Sequence, residues 1–188
     1  VASKMPRIVV VSQNSIDDIH TDMGVQIDRM RLVPVGVDPD LFKPLPEVER
    51  RPGRLITTAS ADVALKGLSY LLEAMAKLRT ERDVTLTIIG KPRPGHSMDL
   101  IDSYGLAPHI EFVSGVSDER IVELYAEAEI AVVPSLYEGF SLPSIEAMAC
   151  GVPLVTTTGG ALPEVVGRPG DCALLVPPAD ADVLAVQI

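Results

Sequence analysis

The sequence predicts an α/β fold, a Rossmann-like parallel sheet that is doubly wound, with helices on both faces. The first observation is the alternation of short apolar runs, typical of buried strands, with segments of helical periodicity. The second is the short, often glycine-containing loops between them, which suit parallel strands joined by helices. The third is a hydrophobic share of 47% in 188 residues with only 4% aromatics, which indicates a mainly aliphatic core.

Runs of aliphatic and β-branched residues, bounded by Gly, Pro or polar clusters, predict the strands. In chain order these are Arg7–Ser12, Arg31–Val35, Arg54–Ala59, Val84–Ile89, Ile110–Val113, Ile130–Val133, Leu154–Thr157 and Ala173–Val176. Their short, continuous apolar character is that of strands buried inside a sheet.

Apolar residues at helical spacing, together with start and stop signals, predict the helices. They span Asn14–Met23, Lys66 to about Thr80, Met98–Tyr104, Ser117 to about Ala128, Ser141 to about Cys150, Ala161–Val166 and Ala179 onward. Ser117 and Ser141 are the predicted N-caps of their helices. Pro143 lies in a first turn, where its missing N–H has no cost, and Gly151 ends the same helix.

A turn-rich, polar connector divides the chain. Residues 33–53 are predicted to be a linker at a domain boundary, and residues 1–32 before it hold a predicted strand and helix. Residues 54–188 then form the main domain, which we expect to be truncated because Ile188 stops inside a helical pattern. Both ends look cut, so we expect the chain to be a piece of a longer protein.

Charge, cysteine content and hydropathy limit the class of protein. A net charge of −10 argues against a nucleic-acid partner, which usually requires a basic surface. Cys150 and Cys172 lie in apolar contexts without metal-ligand spacing, which indicates reduced thiols. The sequence has no apolar run of transmembrane length and no signal peptide at its start. We therefore expect a cytoplasmic protein.

Ligands of a doubly wound sheet bind outside the carboxyl ends of its strands. The loops that leave those ends are Ser60–Lys66, Gly90–Gly95, Ser114–Asp118, Ser135–Leu142 and Thr158–Gly160. We expect these loops to share one rim. The free N–H groups of residues 139–142 should cluster at a positive helix start, with Glu138 just before it and Glu146 about one turn inside. Such a site suits a polyhydroxylated ligand that carries phosphate.

Lys66 and the two acids each have a plain alternative. Lys66 at a helix start opposes the helix dipole, so it is either a solvated lysine or a ligand of a phosphate. Glu138 and Glu146 are either a solvated acid and a capping acid, or a pair that binds hydroxyls. Glycosidases also use two acids, but there each acid needs its own protonation role, and this spacing around a helix start suits hydrogen bonding better.

The sequence shows no motif for a metal site or for the common nucleotide-binding loops. His20, His96 and His109 are scattered along the chain, and no metal site is predicted. The chain has no phosphate loop of the Walker type, and the segment from Gly90 to Gly95 lacks the dinucleotide-binding pattern of glycines.

The segment from Glu138 to Pro153 resembles the E-x7-E signature of the retaining, nucleotide-sugar-dependent glycosyltransferases of family four, which have the GT-B fold. The resemblance covers nearly the whole chain. Further similar motifs are Val33–Asp38 with the P-N-G-V-D linker, Lys66-Gly67 with the K-G helix start, Phe112–Val116 with the base-binding loop, and the segments Thr158–Gly160 and Pro163–Val166.

The resemblance implies a domain and its partners. In that family two Rossmann-like domains face each other across a cleft, and the C-terminal one binds the donor. This chain would be that C-terminal domain, with residues 1–32 the end of the acceptor-binding domain. The implied partners are a nucleoside-diphosphate sugar and the missing N-terminal domain, through which any peripheral membrane contact would run. The implied activity is retaining hexosyl transfer without cofactor, metal or protein nucleophile.

The resemblance also implies roles for single residues. Lys66 would neutralise the diphosphate leaving group and Glu138 would hold the transferred sugar, so these two are the predicted catalytic residues. Glu146 would bind the ribose hydroxyls. The predicted donor-binding residues are Ser60, Gly90, Lys91, Val116, Asp118, Gly139, Phe140, Ser141, Leu142 and Glu146.

The chain departs from the family pattern before Lys66. The family usually carries an Arg five or six residues earlier, where this chain has Ala61 and Ser60. Lys91, Arg93 or a residue of the N-terminal domain would replace that cation, or the diphosphate would bind more weakly. Two alternatives to a UDP- or GDP-sugar-dependent transferase stay open, namely a nucleotide-sugar 2-epimerase and a non-catalytic sugar-nucleotide-binding domain. In the linker, Val35 stands where the family usually has Asn.

Overall fold

The computed structural model describes residues 2–59, 63–168 and 170–188. Within these ranges the strands are β1 (Ile8–Val10), β2 (Met30–Leu32), β3 (Arg51–Thr58), β4 (Thr85–Ile89), β5 (Ile110–Val113), β6 (Ala128–Val133), β7 (Leu154–Thr157) and β8 (Ala173–Val176). The α-helices are α1 (Gln13–Met23), α2 (Leu68–Leu78), α3 (His96–Ser103), α4 (Asp118–Glu127), α5 (Leu142–Ala149), α6 (Leu162–Val166) and α7 (Ala181–Gln187). Short 3₁₀ turns lie at Ala2–Lys4, Ile27–Arg29, Ala64–Lys66 and Ala107–His109.

The main sheet has the order β5-β4-β3-β6-β7-β8, and every neighbouring pair in it is parallel. The first strand of this sheet in chain order is β3, which lies near its middle. The chain then runs outward through β4 to β5 and returns to the other side of β3 with β6. Leu55 of β3 lies opposite Ile130 of β6 in the register. The direction of winding therefore reverses between β3 and β6, which is where such sheets open a crevice for ligands.

Two aliphatic cores, one on each face of the sheet, confirm the predicted fold class. Successive strand residues point to opposite faces, so Leu55 packs with α2, α3 and α7, while Ile56 packs with α4, α5 and α6. Fully buried leucines from both layers, such as Leu71 and Leu162, close the helices onto the sheet. The sheet is thus covered on both sides, and the loops at its carboxyl edge are the natural ligand surface.

Strand β3 begins at Arg51, three residues earlier than predicted. Pro52 and Gly53 made this stretch look like a loop, but they lie at a bulge where the register between β3 and β6 shifts. Gly53 has φ +74°, and a Cβ there would collide with the carbonyl oxygen of Asp83. The last residues of the predicted linker therefore belong to the sheet.

The start of α2 also differs from the prediction. Lys66 ends a 3₁₀ turn, and Gly67, with φ +66°, is the N-cap of the helix. A Cβ on Gly67 would collide with the carbonyl oxygen of Pro134, at the end of β6. Only glycine allows this approach, which carries Lys66 to the loop that follows β6.

The N-terminal segment forms a small unit of its own. Strands β1 and β2 pair in parallel in a separate two-stranded sheet, and α1 packs on them through the buried Ile16. Strand β1 and helix α1 agree with the predicted strand Arg7–Ser12 and the predicted helix Asn14–Met23. The segment that follows is attached to the main domain, because Leu41, Phe42 and Leu45 pack against the core beneath α4, α5 and α6.

Candidate functional site

The loops that follow β3 and β6 meet at the point where the winding of the sheet reverses. The backbone N–H of Leu136 donates to the carbonyl oxygen of Leu65 at 2.8 Å, which joins the two loops. Beside this bond, the Nζ of Lys66 lies 2.8 Å from Oε1 of Glu138. The Lys66 side chain is 31% exposed and that of Glu138 only 11%. The two predicted catalytic residues therefore form an ion pair that is open to solvent on the lysine side.

Glu138 is fixed through both its side chain and its backbone. The buried hydroxyl of Ser135 donates to Oε1 of Glu138 at 2.7 Å. The carbonyl oxygen of Glu138 accepts the N–H of Ala161 at 2.8 Å, and its backbone forms a parallel bridge with Gly160. A Cβ on Gly160 would collide with that carbonyl oxygen. The glycine turn after β7 thus packs tightly enough to hold the loop after β6.

Ser141 occupies the N-cap position of α5 but does not cap the helix, which corrects the sequence prediction. Its backbone has φ 95° and ψ 83°, in the left-handed region that favours glycine, and its side chain makes no capping bond. The hydroxyl instead lies 2.8 Å from the Oγ of Ser144. The first N–H groups of α5 are therefore not capped by this side chain. The cap predicted at Ser117 is confirmed, since its hydroxyl accepts the N–H of Arg120.

A cleft of about 660 Å³ lies at the same edge of the sheet. Gly90, Lys91 and Val116, three of the predicted donor-binding residues, line it. The other lining residues are Thr58, Ile89, Arg93, Val113, Ser114, Gly115 and Ile121. Arg93, named above as a substitute for the missing arginine, thus faces the cleft together with Lys91. Asp118 is not in the wall of the cleft; it is the first residue of α4.

Glu146 lies in α5 and is half-buried. Burial raises the pKa of its carboxyl above the ordinary value, the Tyr125 hydroxyl opposes this rise, and the charge of Asp118 adds to it. The Tyr125 hydroxyl lies 3.4 Å from Oε2 of Glu146 and 3.5 Å from the hydroxyl of Thr58. Because Thr58 lines the cleft, these contacts connect Glu146 to its edge.

The remaining predicted residues lie around the same helix start or outside the described chain. Gly139 and Phe140 are half-buried, and Leu142, the first residue of α5, is 45% exposed. Ser60 lies outside the described residues, so its predicted contact with the donor stays a prediction.

Sequence reasoning missed Ser135 and Tyr125. Ser135 directly follows the apolar run of β6 and is 2% exposed, so a buried hydroxyl at the carboxyl end of a strand was the available signal. Tyr125 occupies an apolar position of α4 and gives no signal in the sequence, because only the packing of α4 beside α5 brings its hydroxyl to Glu146.

Glu164 is a third residue that the sequence did not single out. Its carboxylate accepts the backbone N–H of Gln13 at 2.7 and 3.0 Å and that of Asn14 at 3.1 Å. These are the first amides of α1, where a negative charge is favourable. The hydroxyl of Ser15 also donates to the carbonyl oxygen of Gly139 at 3.3 Å. The first turn of α1 therefore packs directly against the rim that carries the candidate site.

Two kinds of feature are absent from the described residues. Within residues 2–59, 63–168 and 170–188, no group of three or more His, Cys, Asp or Glu side chains is placed to hold a metal ion. In the same ranges, no helix combines the length and the apolar character that crossing a membrane requires.

Comparison with known proteins identifies the family. Residues 52–188 match the family "Glycosyl transferases group 1". The chain is 50% identical to the MMP α-(1→4)-mannosyltransferase of Mycolicibacterium hassiacum, over 100% of this chain and 46% of the relative. It is 30% identical to a D-inositol 3-phosphate glycosyltransferase of Mycobacterium sp. (strain JLS), over 94% of this chain and 42% of the relative. The chain thus spans about half the length of the curated relatives it matches.

Solved structures agree with this placement. The sucrose-phosphate synthase of Thermosynechococcus elongatus superposes with a TM-score of 0.84 at 28% identity, over 99% of this chain and 49% of that one. Anabaena HepE in complex with UDP-glucose has a TM-score of 0.85 at 22% identity, over 98% of this chain and 54% of that one. This second likeness shows the GT-B-like fold alone. On the family match and the 50% identical relative, the chain belongs to the group 1 glycosyl transferases.

Proposed function

We propose that this chain is the donor-binding domain of a retaining glycosyltransferase, which transfers a hexose from a nucleoside-diphosphate sugar to an acceptor. The observation that carries the proposal is the Lys66–Glu138 pair, with its 2.8 Å contact, beside the open start of α5. A cation and a carboxylate side by side match the two chemically different parts of such a donor, a charged diphosphate and a sugar bearing hydroxyls.

The reaction breaks the bond between the anomeric carbon of the sugar and the diphosphate oxygen. The electron pair of that bond stays on the diphosphate, so negative charge develops there as the leaving group departs. The ammonium of Lys66 and the N–H groups at the start of α5 are fixed positive groups, and such groups act most strongly where charge develops. The acceptor hydroxyl then bonds to the anomeric carbon on the face that the diphosphate leaves, which retains the configuration, and its proton passes to the departing diphosphate oxygen.

The other residues receive roles by the same chemistry. Glu138 accepts hydrogen bonds from the sugar hydroxyls, and Glu146 accepts them from the ribose. The cleft lined by Gly90, Lys91 and Val116 receives the base. Lys91 and Arg93 on its wall supply positive charge for the diphosphate, in place of the arginine that the family usually carries. We propose that no metal takes part and that the protein is cytoplasmic.

The name of the 50% identical relative suggests mannose as the transferred sugar. The structural neighbour HepE holds UDP-glucose, so UDP and GDP are both retained as candidate nucleotides. The relatives reported above carry transferase names, which is why we prefer transfer to 2-epimerisation.

The test is a calorimetric titration of the chain with UDP-, GDP- and ADP-hexoses and with the matching free nucleotides. We expect one base to be preferred and the binding to be weak, because a half-open cleft leaves the diphosphate in water, where charges are screened. Absence of binding by every nucleotide and nucleotide sugar would overturn the proposal.

Transfer is tested separately. The chain and a longer protein that contains it are incubated with labelled donor and candidate acceptors, and the anomeric configuration of the product is read by NMR. We expect transfer only from the longer protein, because positioning two substrates for reaction supplies a large share of the rate. Inversion at the anomeric carbon would contradict the retaining mechanism, and a free epimerised sugar would point to the epimerase.

A further inference from the structure

The two oxygens of the Glu138 carboxylate differ in the hydrogen bonds that they accept from the protein. Oε1 accepts two hydrogen bonds, from the Ser135 hydroxyl at 2.7 Å and from the Lys66 ammonium at 2.8 Å. Among the described residues, no side chain or backbone group donates to Oε2. One oxygen of this acid is therefore engaged by the protein, while the other retains its acceptor capacity.

Ser135 is held as firmly as the acid it contacts. It is 2% exposed, and its carbonyl oxygen accepts the Thr157 hydroxyl from the end of β7. The same Thr157 hydroxyl accepts the N–H of Gly159 at 3.2 Å. The glycine turn 159–160, which holds the backbone of Glu138, is thus also connected to Ser135. A buried hydroxyl with its backbone fixed in this way has little freedom to turn from the carboxylate.

We propose that Ser135 is a positioning residue for sugar recognition. With Lys66 it engages Oε1 of Glu138, and Oε2 then accepts the hydrogen bonds of the sugar hydroxyls. This inference rests on the proposed function, because it assigns the open oxygen to the sugar of a nucleotide sugar. Because Ser135 is 2% exposed and its hydroxyl donates to Glu138, its effect on a ligand passes through that acid. It therefore contributes to the preference for nucleotide sugar over bare nucleotide.

The readout is the ratio of two affinities in the full chain, UDP-glucose to UDP and GDP-mannose to GDP. Ser135→Ala removes the donor to Oε1, so the Glu138 carboxylate turns and shares its oxygens differently. We expect the ratio to fall roughly tenfold, the order of one hydrogen bond to a charged group, with binding of bare nucleotide unchanged. Ser135→Thr retains the hydroxyl and restores the ratio, and Ser135→Cys, a weaker donor, gives an intermediate value.

Thr156→Val is the matched control. The Thr156 hydroxyl is as buried as that of Ser135, but it donates to the carbonyl oxygen of Val133 at 3.0 Å and not to an acid. We expect this variant to lose some stability and to keep the wild-type ratio of affinities. A merely structural role of Ser135 would make both variants behave alike.

The outcomes separate this inference from the proposed function. If the wild-type chain binds no nucleotide, the proposed function itself fails. If it binds nucleotides but Ser135→Ala keeps the wild-type ratio, only the role of Ser135 is overturned. A wild-type ratio near one would overturn the sugar contact of Glu138 and the role of Ser135 with it, while nucleotide binding would stand. Should Ser135→Ala not fold, the wild type, Ser135→Thr and Ser135→Cys decide the question. We expect the ratio of affinities to fall in that order, and equal ratios in the three proteins would contradict the inference.

Discussion

The two edges of the main sheet each carry an ion pair between a basic and an acidic side chain, and the two pairs differ in how they are completed. At the amino edge, Arg54 lies 2.9 Å from Glu127 and 3.1 Å from Glu111, and its Nε donates to the Thr87 hydroxyl. At the carboxyl edge, Lys66 contacts Glu138 alone among the described acids.

Burial separates the two pairs as well. The side chains of Arg54 and Glu127 are 9% and 12% exposed, whereas Lys66 is 31% exposed. Glu127 is also approached by Arg51 at 3.3 Å and by Arg120 at 3.2 Å. Its Oε2 has no well-aligned hydrogen bond, so the attraction there is electrostatic. At the amino edge, the negative charge of Glu127 is thus neutralised by basic side chains of the protein itself.

The comparison teaches how to distinguish a structural pair from a binding pair. A hollow of about 290 Å³ at the amino edge is lined by Arg51, Arg54 and Glu111, but the protein already neutralises these charges. At the carboxyl edge, Oε2 of Glu138 and the partly exposed ammonium of Lys66 keep hydrogen-bonding capacity, which is what the proposed donor site requires. The state of the charged groups therefore separates the two edges, in agreement with the larger cleft of about 660 Å³ at the carboxyl edge.

The largest effect is expected for Arg54→Met. It leaves Glu127 buried with a weaker counter-charge, and breaking such a pair lowers the free energy of unfolding by about 3 kcal/mol. Urea unfolding checks the value, and nucleotide affinity should not change. The matched control Arg54→Met with Glu127→Leu should recover most of the stability, because no buried charge is then left unpaired. A single variant as stable as the wild type would mean that the amino-edge cluster is not structural.

Glu146→Gln should weaken nucleotide binding, but it should also remove a loss of stability that the wild type undergoes as pH rises. Nucleotide affinity should fall tenfold or more, since a hydrogen bond to a charged group is worth roughly 1.5–3 kcal/mol. Because burial raises the pKa of Glu146, the folded state binds its proton more tightly than the unfolded state. Stability of the wild type then falls as pH rises from the ordinary to the raised pKa, and the Gln variant escapes this loss.

The measurement for Glu146 is calorimetry with the free nucleotide, together with urea unfolding across a pH series that begins below pH 4.5, the ordinary carboxyl value. Wild-type affinity should decline on acidification through a midpoint above that value, and the variant should lack this midpoint. Equal affinity in both proteins at neutral pH would remove Glu146 from the site.

Lys66→Ala is expected to have a smaller effect, which depends on the ligand. Loss of the ammonium should weaken nucleoside diphosphates by roughly fivefold to tenfold, a value reduced by the solvent exposure of this side chain. Binding of the nucleoside should stay the same, since it carries no charge for Lys66 to meet. Calorimetry with the nucleoside and its diphosphate gives the comparison, and equal losses for both would indicate a folding defect instead.

Tyr125→Phe should have the smallest effect. Its hydroxyl contacts to Glu146 and Pro143 are both 3.4 Å long, at the outer limit of hydrogen bonding. We expect nucleotide affinity to fall less than about threefold, because hydrogen bonds of this length retain only part of the roughly 1 kcal/mol that a well-formed one contributes. A loss as large as that of Glu146→Gln would show that Tyr125 holds the acid in place.

The fold was predictable because the strands are short apolar runs and the loops between them are brief. The alternation alone gives a parallel sheet, and the rim follows from it, so Lys66 and Glu138 were expected at one edge. The predicted starts of β3 and α2 were wrong for the same reason. At Gly53 and Gly67 the tertiary contact, a close approach to another backbone, decides the conformation, and local sequence carries no sign of the partner.

The site was predictable down to residue types but not to their contacts. Ser141 has the composition of an N-cap, yet its backbone adopts φ 95° because the loop must place α5 against β6, and the hydroxyl turns to Ser144. The pairing of Lys66 with Glu138 also lies beyond sequence patterns, since the two residues are 72 positions apart. Motif spacing names candidates, and packing decides which atoms face each other.

The contact between Glu164 and the start of α1 has a consequence for how the chain folds. It joins residues 151 positions apart, and closing a loop of that length costs about 4 kcal/mol in chain entropy. Formation of the main sheet brings the two partners together, so we expect α1 to dock after the sheet has formed and to detach before it unfolds. The amides of the first turn of α1 should therefore exchange with solvent faster than those of β3 or β6, which open only with the whole domain.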